Sequence, residues 1–272
     1  TIDKDTTGKL WITWEDGGKI YVNRSTTSET TWGTAFQLPV QGGSVSSDDI
    51  CAVAAFGSRI GILWSNQSDD MMYFASHLDG AADTSWQPRE TALADAALGA
   101  VADDHINLKM LADAGANIYA VTKTSLSDPG DPLIYMLRRD PNGNWTRYVV
   151  GRKDDAHTRP ILLIDSENRK VYVFMTGSNG IRMKVSSLHN ISFPLGSGTL
   201  FISSSSDDDI NHVTSAKQNV NGTTDLVVLA SDAGSHYYLH NTIDLPSAGA
   251  TPDIAVTPSS LAYGSVLVGQ TA

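Results

Sequence analysis

Five apolar, aromatic-rich segments recur every 50 to 58 residues along this chain of 272: "KLWITW" from Lys9, "RIGILW" from Arg59, "NIYAVT" from Asn117, "KVYVFM" from Lys170 and "DLVVLA" from Asp225. Other short alternating runs flank each of them, separated by turns of Gly, Asp and Asn. A period near fifty residues with about four strands per unit predicts an all-β protein, a β-propeller of four-stranded blades with one blade per repeat. The composition agrees, because abundant Ser, Thr, Asn and Gly beside six Trp and nine Tyr suits short strands joined by polar turns.

The blades read in order. Blade one enters near its innermost strand at Thr1, with "KLWITW" as its second strand. Blade two is complete: "ICAVAAF", "RIGILW", "MMYFASHL", then Trp86 leading into a fourth run. Blade three gives "INLKMLAD", "NIYAVTKT", "LIYMLRRD" and "WTRYVVG", and blade four "RPILLID", "KVYVFMTG", "IRMKVSS" and "GTLFIS". Blade five has "HVTSAKQN", "DLVVLASD" and "SHYYLHNTI", then passes into "DLPSAGATP" without a fourth strand. Tyr237 and Tyr238 are candidates for stacking on sugar rings, but blade aromatics more often pack between sheets, which is the expectation here. Five blades are visible, and the missing strand, or further blades, is expected from sequence upstream, since "TIDKD" reads as mid-domain sequence. The expected division is a propeller over residues 1–246 and, over 247–272, a linker and the truncated start of a second domain, read as two short alternating strands around a Pro-Ser-Ser turn.

Charge and cysteine content narrow the partners. With 19 Lys and Arg against 30 Asp and Glu the net charge is −11, which repels nucleic acid and anionic lipid surfaces. No apolar run is long enough to span a membrane. Cys51, the single cysteine, excludes an internal disulfide and reads as a buried, inert thiol.

The candidate chemistry lies in front of the innermost strands. "SSDDICAV" (Asp48, Asp49), "ADDHINLK" (Asp103, Asp104, His105), "KDDAHTRP" (Asp154, Asp155, His157, Arg159) and "SDDDINHV" (Asp207, Asp208, Asp209, His212) occupy equivalent places in four blades, so they are expected to ring one mouth of the central channel. A single Asp there is explained by turn capping alone. Turn formation does not explain three histidines behind the acids. Asp49, Asp104, Asp155 and Asp209 are the candidate calcium ligands, and with His105, His157, Arg159 and His212 they form the candidate ligand-binding set.

Several stretches resemble known families. The Trp-ended turns "SETTW", "DTSW" and "NGNW" resemble degenerate Asp-box turns of sialidase-type propellers; of the three arginines that likeness implies, only Arg159 has a matching place. "DDH" before an innermost strand, with "IYAV" or "VYVF" after it, resembles propeller polysaccharide lyases. That likeness implies His105 or His157 as the base and Arg159 against a uronate carboxylate. The C-terminal half, from "HTRPILLIDSENRKVYVFMT" to "SHYYLHN", is similar to bacterial secreted propeller proteins that precede Ig-like repeats. Finally, "TPDIAVTPSSLAYGSVLVGQTA" over residues 251–272 resembles the opening of choice-of-anchor D Ig-like β-sandwich domains and implies a secreted or cell-surface bacterial protein. The expected role is extracellular recognition of a glycan or another surface polymer. A lyase or glycosidase-like enzyme on acidic glycans and a self-associating subunit of a surface filament are the alternatives.

Overall fold

Strands dominate the chain and fall into five separate antiparallel sheets, each a meander in sequence order. A computed structural model describes residues 1–99, 101–102, 108–204 and 209–247. Asp103, Asp104, His105, Asp207, Asp208 and the tail expected to open an Ig-like domain lie outside the described residues.

Blade one comprises β1 (Ile2–Lys4), β2 (Leu10–Glu15) and β3 (Ile20–Ser28), with the short β4 (Thr31–Trp32) and β5 (Phe36–Gln37) both pairing with β3. Blade two runs β6 (Cys51–Phe56), β7 (Arg59–Asn66), β8 (Met71–Leu78), β9 (Glu90–Leu93). Blade three runs β10 (Lys109–Ala112), β11 (Ile118–Lys123), β12 (Pro132–Arg139), β13 (Trp145–Arg152). Blade four runs β14 (Thr158–Asp165), β15 (Lys170–Gly177), β16 (Gly180–Ser187), β17 (Thr199–Ile202), and blade five has three strands among the described residues, β18 (Ile210–Ser215), β19 (Leu226–Asp232) and β20 (Tyr237–Ile243).

The strand patterns follow from which faces are covered. Nearly every residue of β7, β12 and β15 is buried, because a blade with neighbours on both sides buries both faces and needs continuous apolar sequence. Four apolar clusters fill the spaces between consecutive blades. Between blades two and three, for example, Phe74 meets Trp145 edge-on, with ring centres 5.4 Å apart. Among the described residues no cluster joins blade five to blade one.

Blade five therefore alternates. Leu226, Val228 and Ala230 of β19 pack on blade four, while Val227 and Leu229 are exposed. Tyr237 and Tyr238, at 70% and 81% exposure, correct the expectation that they pack between sheets. Among the described residues no fourth strand pairs with their strand, β20, although its Leu239 and Ile243 pack toward blade four.

The innermost strands β1, β6, β10, β14 and β18 neighbour one another in order around the axis. Each presents an edge whose backbone groups need partners. Thr1 Oγ1 accepts from Val53 N–H at 2.7 Å and Asp3 Oδ2 from Ala55 N–H at 2.9 Å. From the other side Lys217 donates to the carbonyls of Val53 and Met110, and Asn219 Nδ2 donates to Ala112 O at 2.8 Å.

Outside the apolar clusters, Glu90 ties blade two to blade three. It accepts from Arg139 Nε at 2.7 Å, Arg139 Nη2 at 2.6 Å and Trp145 Nε1 at 2.8 Å. Removing it strands a largely buried guanidinium, so Glu90→Ala is expected to cost about 2 kcal/mol of unfolding free energy in urea titration. An unchanged midpoint would show that the pair contributes nothing.

Candidate functional site

The first residues of β14 and β18 share an irregularity that the sequence does not announce. In both blades the pairing register shifts within the opening turn of the innermost strand, between Thr158 and Ile161 and between Asn211 and Thr214. The residue inside each shift takes a left-handed backbone, Arg159 at φ 49° and His212 at φ 53°. Neither is glycine, so the conformation carries strain, and a bulge of this kind re-aims the side chain it holds. Two consecutive blades thus present a cationic or titratable residue from matching positions at the same mouth.

Asn211 joins them. Its Oδ1 accepts from Arg159 Nη1 at 3.1 Å, Thr176 Oγ1 at 3.1 Å and the backbone N–H of His212 at 2.9 Å. One amide oxygen therefore fixes the guanidinium, the end of β15 and the bulge of β18 together. Arg159 lines a cavity of about 370 Å³ with Lys123, Ser125 and Thr158. His212 lines a second, axial cavity of about 420 Å³.

The other predicted residues are placed differently. Asp49 is buried and folded back on its own turn: Oδ1 accepts from Ser65 Oγ at 2.6 Å and Oδ2 from Ser46 N–H at 2.8 Å. Asp155 closes a short 3-10 turn, Lys153–Asp155, by accepting from Arg152 N–H at 3.0 Å, with Lys184 Nζ 3.6 Å away. Turn capping explains both acids. Asp209 is exposed at the start of β18. Among the described residues no three His, Cys, Asp or Glu side chains converge as a metal-ligand group; Asp104, the remaining candidate ligand, lies outside them.

His157 borders the Arg159 cavity, yet only 1% of it is exposed. Its Nε2 lies 3.1 Å from Ser197 O; a carbonyl only accepts, so Nε2 carries the proton. Nδ1 is buried without a partner and is wedged against Gly151, where an added Cβ would come within 2.7 Å of it. Burial, reinforced by the charge of Lys184, holds the imidazole below its ordinary value against the opposing pull of Ser197 and Asp155. A base must reach the proton it removes, and this nitrogen faces protein. The expectation of His157 as the lyase base is corrected on that geometry. Cys51 is half-buried; Thr13 Oγ1 donates to its sulfur at 3.4 Å and burial raises its pKa.

Two residues at the axis were missed. Lys109 of β10 and Lys217, just beyond β18, both line the axial cavity. Burial lowers Lys109 to about 7, with the Lys217 charge adding to the effect, and lowers Lys217 to about 8 against the attraction of Asp3. In the sequence each is an isolated lysine in a polar or mixed run, and nothing in its local pattern marks it as axial.

No family model and no curated protein sequence matches the chain. Solved structures do. The polysaccharide lyase Uly1 aligns over 90% of this chain with 12% identity and a TM-score of 0.52, and the Dos1 propeller over 91% with 13% identity and a TM-score of 0.52. The NanB sialidase of Streptococcus pneumoniae aligns over 63% with 10% identity and a TM-score of 0.46. The chain spans 58%, 59% and 26% of those three chains respectively. The class the fold defines is the β-propeller.

The buried His157 gives a pH signature. Because its folded pKa lies below the unfolded one, the unfolded chain binds the proton more readily, and stability present above about pH 6.5 is lost as pH falls through that value. His157→Gln is expected to lose less melting temperature than the parent between about pH 7.5 and about pH 5.5. An equal loss would mean that the imidazole is not protected from protons.

Proposed function

We propose that this chain is a carbohydrate-recognition propeller of a secreted or cell-surface protein, and that the mouth formed by blades four and five is its contact face. The observation that carries the reading is the pair of left-handed bulges holding Arg159 and His212, joined through Asn211. Strained backbone kept at matching sites of two blades suits presentation of side chains to a ligand. Arg159, Lys123, Ser125 and Thr158 supply the donors and hydroxyls that sugar recognition uses. Uly1 is a polysaccharide lyase, which supports a carbohydrate ligand for this fold without selecting catalysis. The interior position of His157 weighs toward binding. The tail's likeness to Ig-like repeats supports the location outside the cell.

The test is a glycan-array and depolymerisation screen of the full chain, with calcium and with a chelator, beside Arg159→Ala and His212→Ala. Binding without cleavage, weakened about tenfold or more by each substitution, is the expected result. New unsaturated ends would replace recognition by lyase chemistry. Silence in every arm would favour a filament subunit whose neighbours cover Val227, Leu229, Tyr237 and Tyr238.

A further inference from the structure

The axial cavity holds two amines whose chemistry the mouth does not use. Lys109 of β10 and Lys217, just beyond β18, both line it. Each donates to the carbonyl of the residue beside or next to the other in sequence: Lys109 Nζ to Ala216 O at 2.7 Å and Lys217 Nζ to Met110 O at 2.8 Å. This crossed pairing brings the two residues onto neighbouring edges at the axis, near enough for the charge of Lys217 to act on Lys109.

The two amines are unequal. Lys217 also donates to Val53 O and has the carboxylate of Asp3 at 3.9 Å, whereas among the described residues no acid stands within ion-pair distance of Lys109. Lys109 therefore gives up its proton first. Burial, with the Lys217 charge adding to it, lowers Lys109 to about 7, while Lys217 falls to about 8 against the attraction of Asp3. At about pH 7.4 the larger part of Lys109 is a neutral amine and the larger part of Lys217 an ammonium, while an exposed lysine is neutral to roughly one part in a thousand. A desolvated amine beside another cation is a nucleophile at neutral pH.

The surroundings decide the electrophile. Leu108, Met110, Ile161 and Val213 are all buried and wall this cavity of about 420 Å³. Such walls admit a small neutral molecule more readily than a hydrated ion. A free anion would meet one ammonium and one neutral amine here, but carbon dioxide converts the neutral amine into an anion beside the ammonium. We propose that Lys109 binds carbon dioxide as a reversible carbamate and that Lys217 holds the product. The lone pair of Lys109 Nζ forms a bond to the carbon of carbon dioxide, one C–O π pair moves onto oxygen, and the nitrogen releases one proton to water. Two charges that would repel become a cation and an anion, at a site where burial makes an unpaired charge costly. The site is independent of the carbohydrate reading above.

The test exposes the full chain to isotopically labelled bicarbonate at about pH 7.4 and traps carbamates by ethylation with triethyloxonium ion, the modified residues being read by peptide mass spectrometry. The adduct is expected on Lys109 at about tenfold or more the level on Lys4 and Lys170, both exposed. Lys109→Gln, which keeps a donor for Ala216 O, is expected to lose that adduct while its melting curve stays close to the parent's. Lys217→Arg keeps the charge and is expected to retain the adduct on Lys109, whereas Lys217→Gln is expected to lower it about tenfold. An adduct at Lys217 or the amino terminus in place of Lys109, even labelling of all lysines, or no adduct would each overturn the proposal. Undiminished labelling of Lys109 in Lys217→Gln would overturn the role given to Lys217. Should Lys217→Gln fail to fold, the parent chain and Lys109→Gln decide.

Discussion

Five strand edges meet at the axis of this protein, and their backbone groups must find partners there. Closing a sheet edge with another strand would fill the channel, so side chains do it instead. Thr1 and Asp3 take N–H groups of β6 while Lys217 and Asn219 serve carbonyls of β6 and β10. Residues 216–219 of blade five thereby reach across to blades two and three, joining elements more than a hundred residues apart in sequence. The same solution places cationic groups where water is scarce. Structural closure and the positive character of the axial cavity are two results of one arrangement.

The mouth follows a related logic. A regular innermost strand would alternate its side chains between the two blade interfaces, leaving none well placed for a ligand. The bulges in β14 and β18 break that alternation and free Arg159 and His212 from it. Asn211 then limits the freedom of the guanidinium, which reduces the entropy lost when a ligand binds. His157, two residues before Arg159, goes inward instead, into space that Gly151 and Gly177 leave open. Either glycine with a side chain would compete with the imidazole for that space.

Much of the architecture was legible because period and burial are coupled. Blades covered on both faces need unbroken apolar strands, and "RIGILW" and "KVYVFM" show it directly. The site was only partly legible. Asp49 and Asp155 fold back as turn caps, a role that turn chemistry gives such acids whether or not a ligand is present. "DAHTRP" and "DINHV" hold Arg159 and His212, but the register shifts that align them depend on pairing with β15 and β19. Lys109 and Lys217 acquire meaning only when the ring brings blades two, three and five together.

The central claim is that ligand meets the mouth of blades four and five. The most direct measurement is hydrogen-deuterium exchange of the full chain with and without the glycan that binds it best. Protection confined to residues 158–161 and 210–215 is the predicted result. Protection instead along β20, around the exposed Tyr237 and Tyr238, would contradict the account and place recognition on the open face of blade five.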